Sequence, residues 1–132
     1  MTRIITMALA IGAATAAPVV AQERAHAQQG TEQHMDRMHE LSQLMERMHA
    51  TNEWMTQHRV HEQFHRLGRD MEATGERLRT MLQQCDQARA TLNPDRDRDR
   101  LHEMDRVRDR LHDMQRELDR AHEALRKAIG QP

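Results

Sequence analysis

The chain has no tyrosine, one tryptophan (Trp54) and one phenylalanine (Phe64). A β-sheet domain would be starved of its usual core residues at that level, so the composition points to helices. The single cysteine, Cys85, excludes an internal disulfide framework and a cysteine-rich zinc site. It is left two roles, a buried thiol or a cross-link between two chains in an oxidising compartment. Five glycines provide no phosphate-cradling loop, and Gly68 and Gly75 fall inside a long helical pattern. No serine or cysteine stands with a histidine and a carboxylate in a hydrolase motif, so no enzyme is expected. An excess of either charge is missing too: 20 basic and 21 acidic residues give a net charge of −1, with the signs interleaved. Nucleic acid as a main partner would select a basic face, and none is present.

Long apolar runs are missing except at the start. Residues 1–21, "MTRIITMALAIGAATAAPVVA", carry one basic residue and then an uncharged, alanine-rich stretch ending in small residues. That is the pattern of a secretory signal peptide, cleaved after Ala21 or after Ala27, and it is poorly suited to a retained membrane span. The expected location is periplasmic or secreted, with no membrane insertion after cleavage. Residues 22–33 lack periodicity and read as a flexible leader. The helical domain is then 34–130.

What the sequence does have is heptads. Val60, Phe64, Leu67, Met71, Thr74, Leu78, Met81, Cys85, Ala88 and Leu92 alternate spacings of four and three. Asn93-Pro94 interrupts them as a cap and a first helical residue. A second seam runs through Met104, Val107, Leu111, Met114, Leu118, Ala121, Leu125 and Ala128 to a helix-stopping Gly130. Upstream, Met38, Leu41, Met45 and Met48 also alternate three and four, and their frame slips by two residues between about 49 and 57. Thr51-Asn52 is the natural break. These patterns predict an all-α fold with helices near 32–50, 53–92 and 94–129. The last two form a long antiparallel hairpin with the first packed beside it, coiled-coil-like. A continuous helix from 32 to 92 is the alternative.

The chain also carries ten histidines and eleven methionines. "MDRMHELSQL", "MERMHATNEW" and "MTQHRVHEQF" repeat with a ten-residue period, as do "DRLHEMDRVR", "DRLHDMQREL" and "DRAHEALRKA". Ten residues rotate each copy about 80° backwards on a helix, so no single stripe of like residues results. His102, His112 and His122 therefore read as separate, exposed helix histidines. His58, His61 and His65 are different. Their spacing of three and four gives one face on a continuous helix, with Met55 beside it, and i, i+4 imidazoles suit a late first-row metal. Met35, His39 and His49 line a flank of the first helix, off its apolar seam. Met38, Met45 and Met48 sit on that seam and read mainly as packing.

With a signal-peptide-like start followed by "HMDRMH", "MERMH" and "MTQHRVH", the stretch 34–65 resembles the small exported Met/His-rich proteins of bacterial copper and silver resistance. The resemblance implies buffering or sequestration of metal ions outside the cytoplasm, without catalysis. On it, His58, His61, His65 and Met55 form a primary copper site, and Met35, His39 and His49 supply weaker Cu(I) or silver sites. A second class competes, a structural or chaperone-like coiled-coil module that oligomerises with copies of itself through its seams. Haem is not expected: Cys-x-x-Cys-His is absent and large apolar residues are few.

Overall fold

The computed structural model describes residues 17–132, with side chains from residue 28 onward. Three α-helices account for nearly all of it: α1 (Ala17–Gln57), α2 (Glu62–Ala90) and α3 (Arg98–Ala128). No strand occurs among the described residues. The signal-peptide assignment falls mostly on residues 1–16, outside the described range. Residues 22–33, expected as a leader, are turns of α1. Residues 34–132 form one packed unit.

The all-α expectation holds, and α2 and α3 pack closely as the antiparallel hairpin. Arg89 Nε reaches Asp105 Oδ1 at 3.2 Å near its closed end, and a Cβ on Gly75 would lie 3.7 Å from Leu118 further along. The break between the first two helices falls later than expected. Thr51 does not cap a helix; it is buried inside α1. The chain turns at 58–61 instead. Arg59 adopts φ +54°, and Val60 N donates to Met55 O at 3.2 Å. This is a Schellman-type stop with arginine where glycine is usual. Val60 then packs back on the cluster containing Met55, the apolar contact that accompanies such a stop. Gly130 ends α3 by the same device, with φ +71° and Gln131 N donating to Arg126 O at 3.0 Å. At the hairpin turn Asn93 caps a single turn, its Oδ1 accepting from Asp95 N at 2.9 Å, and α3 begins at Arg98 rather than 94.

Half of each seam is where periodicity puts it. Met71, Leu78 and Cys85 on α2, and Leu111, Leu118 and Leu125 on α3, are buried. The other half lies on the opposite flank. Gly68, Gly75 and Leu82 are buried in place of Leu67, Thr74 and Met81. On α3, Gln115 and His122 are buried in place of Met114 and Ala121. The cause is α1, whose interior row is Leu41, Leu44, Met48, Thr51 and Met55. α1 lies antiparallel on α2, with Met48 over Gly75 and Met55 over Gly68. A Cβ built at these glycines would sit 2.8 Å and 2.6 Å from the respective Met Cε atoms. Any side chain there would require the methionine tips to shift.

Candidate functional site

The residues expected to bind metal are not assembled. Met55 is 0% exposed and belongs to the core, so it is no ligand beside a histidine face. His58, His61 and His65 do not share one helix, because the α1–α2 turn runs through them. His58 lies beyond the end of α1, its ring stacked on Trp54 at 4.1 Å and its Nδ1 donating to Trp54 O at 2.9 Å. His61 is the N-cap of α2, its Nδ1 accepting from Gln63 N at 3.3 Å. His65 sits in the first turn of α2. The i, i+4 argument requires a continuous helix, and here the chain is not helical between 58 and 61.

On the α1 flank, His49 is engaged by carboxylates: Glu72 Oε1 is 3.0 Å from Nδ1 and Glu53 Oε1 is 3.4 Å from Nε2. His39 hydrogen-bonds Gln43 at 2.9 Å on the exposed face. Met35 is 64% exposed, one turn before His39. Among the described residues no three His, Cys, Asp or Glu side chains converge in a metal-holding group.

A polar row in the interior was not expected. The buried face of α3 is centred on Arg108, Gln115 and His122, with the leucine row on one side and His112 on the other. His112 and His122, expected on the surface, are 3% and 1% exposed. Both meet α1. His122 Nε2 lies 2.9 Å from Thr51 Oγ1, which itself donates to Gln131 Oε1 at 3.0 Å. That hydroxyl has one proton, so the imidazole is the donor and its Nδ1 is a bare lone pair. No partner meets Nδ1 in the core. His112 lies against His34 of α1, rings edge to face at 5.5 Å. His34 in turn contacts Asp86 of α2 at 2.7 Å, so the three helices meet in one polar chain.

Burial pushes both interior histidines below the ordinary histidine value. For His122 the neighbouring Arg47 adds to the effect; for His112 the hydrogen bond to Gln115 opposes it and Arg37 reinforces it. Cys85 is buried, with Sγ directed at Met104 O at 3.5 Å. Burial raises its thiol, and the adjacent Asp86 carboxylate does so further. It is therefore a poor nucleophile.

A surface feature completes the inventory. The displaced half-seams, Leu67 and Met81 on α2 and Val107 and Met114 on α3, are 39–49% exposed. Thr74, Ala88, Ala121 and Ala128 extend the same rows. Among the described residues no helix is long and apolar enough to cross a membrane. No family model, curated protein or solved structure matches the chain.

Proposed function

We propose that the chain is a non-catalytic helical module, exported from the cytoplasm, that associates with a second copy of itself along the outer groove between α2 and α3. The observation that carries this is the pair of exposed half-seams. Leu67 and Met81 are two heptads apart on α2, Val107 and Met114 one heptad apart on α3, and each keeps 39–49% of its surface in water. Heptad rows of large apolar residues left in solvent are characteristic of helices awaiting a partner. A like copy suits the groove for electrostatic reasons. Along exposed α3 the charges pair at i, i+3, Arg106 with Glu103 and Arg120 with Glu117, both at 2.7 Å. With a net charge of −1, two copies meet without the repulsion that keeps proteins apart. Export is supported by the pattern of residues 1–21.

Sedimentation equilibrium tests the proposal. The wild type is expected to dimerise reversibly. Met81→Glu/Met114→Glu, both substitutions on the exposed rows, is expected to be monomeric with unchanged helicity. A wild type that stays monomeric across the concentration range would sink the idea.

A second reading, sequestration of copper or silver on the outside of α1, is supported by Met35 and His39. They are the part of the Met/His comb that stands exposed on consecutive turns.

A further inference from the structure

His34 and His112 face each other with His34 Nδ1 and His112 Nε2 3.3 Å apart. The proton on each ring is fixed by the acceptor at its other nitrogen. Asp86 Oδ2 stands 2.7 Å from His34 Nε2, so that nitrogen carries hydrogen. Gln115 donates through Nε2 to Arg37 O at 3.1 Å, which turns its Oε1 toward His112 Nδ1 at 3.4 Å. That nitrogen carries hydrogen as well. When both imidazoles are neutral they present lone pair to lone pair, and the gap between them suits either a proton carried on His34 beside Asp86 or a metal ion.

We propose that His34 Nδ1 and His112 Nε2 are the protein ligands of one imidazole-preferring divalent ion, copper(II) or zinc(II), with the remaining positions taken by solvent. Nitrogens about 2.0–2.1 Å from a tetrahedral ion stand about 3.3–3.4 Å apart, which matches the spacing. A proton on His34 Nδ1 donated to His112 Nε2 is the competing arrangement at this spacing, and a chain that takes up neither ion would be its signature. A carboxylate on the far nitrogen of a ligating histidine is the common outer arrangement, orienting the ring and raising its basicity; Asp86 occupies that place. Gln115 serves His112 in the same way. The His34 side chain is 12% exposed and His112 is buried, so His34 is the more open of the two. Neither thiolate nor thioether belongs to the pair, since Cys85 is directed at Met104 O, and nitrogen donors favour copper(II) or zinc(II) over silver. The nearby cations are each tied to a carboxylate, Arg37 to Asp109 at 3.7 Å and Arg108 to Asp105 at 3.1 Å.

The test is titration of the purified chain with Cu2+ and with Zn2+ against a competing chelator, read by affinity and by the copper(II) paramagnetic spectrum. One ion per chain is expected, with two nitrogen couplings. His34→Gln and His112→Gln should each weaken binding more than a hundredfold, and Asp86→Asn should weaken it about 10–100-fold. His58→Ala/His61→Ala/His65→Ala should bind as the wild type does. The proposal is overturned if the wild type takes up neither ion in competition. It is equally overturned if His34→Gln, with unchanged helicity, binds like the wild type, or if the triple variant alone loses the ion.

Discussion

At the scale of the residue, His122 carries the most consequential chemistry in the core. It is 1% exposed, donates to Thr51, and keeps an Nδ1 without a partner. Protonating that nitrogen would place a cation and an unmet donor in an apolar interior, with Arg47 and Arg126 nearby and Glu123 and Asp119 only partly offsetting them. The folded value is therefore below the ordinary 6.5, and the sign of the pH effect follows. Above that value both folded and unfolded chains hold a neutral ring, and stability is at its full level. As the pH falls below it, the unfolded chain takes up a proton that the folded chain refuses, so stability declines until the folded value is passed. The decline from this one group has a limiting slope of about 1.4 kcal/mol per pH unit. Urea denaturation between pH 7.5 and 5, with a chelator present, should show it. His122→Gln keeps a donor for Thr51 and cannot ionise, so it should lose its share of the slope. An unaltered slope in that variant would mean the ring is protonated in the fold.

At the scale of the element, the approach of α1 to α2 is set by two glycines. A Cβ at Gly68 would meet Asn52 Oδ1 at 2.1 Å and Met55 Cε at 2.6 Å, and α1 would have to retreat or both side chains move. Alanine is worth about 1 kcal/mol more than glycine in a helix interior, while overpacking costs about 1–3 kcal/mol. With two collisions, the clash is expected to win: Gly68→Ala should lower stability by about 1 kcal/mol in chemical denaturation. A stabilised variant would show that the Asn52 and Met55 side-chain ends give way at little cost. The same glycines explain what the sequence displayed and what it hid. Helices, hairpin and the rows 71/78/85 and 111/118/125 were legible because large apolar residues recur every seven. The second row was not, because apolar content favours Leu67 over Gly68 and does not separate Met81 from Leu82, whereas close approach decides the matter and is a property of two helices together. The α1–α2 turn was hidden because arginine, not glycine, takes the left-handed position. The buried histidines were hidden for a related reason. The contacts that hold them, His34 with His112 and Thr51 with His122, span 78 and 71 residues, and nothing local announces them. The polar row 108, 115, 122 was the available signal, since its spacing of seven puts it on one bearing beside the leucine row 111, 118, 125.

At the scale of the whole molecule, three helices run up, down and up around a core of leucine and methionine with no fully buried aromatic side chain. Arg47 of α1 pairs with Asp119 of α3 at 2.9 Å, and Arg37 with Asp109 at 3.7 Å, so α1 and α3 run parallel while α2 opposes both. α1 covers one side of the hairpin; the other keeps Leu67, Met81, Val107 and Met114 in water. Small cores of this kind are thinly stabilised alone, and covering the open side would add buried apolar surface at about 25 cal/mol per Å². Association that adds stability makes unfolding depend on mass action: for a dimer that unfolds to single chains, each tenfold rise in concentration shifts the balance by about 1.4 kcal/mol per dimer. For chains of this size that corresponds to a rise in Tm of about 2–4 °C per tenfold concentration. The wild type should show that rise in thermal scans across a hundredfold range, and Met81→Glu/Met114→Glu should show a flat, lower Tm. A wild-type Tm that does not move with concentration would mean the outer groove carries no second copy, whatever the exposure of its methionines.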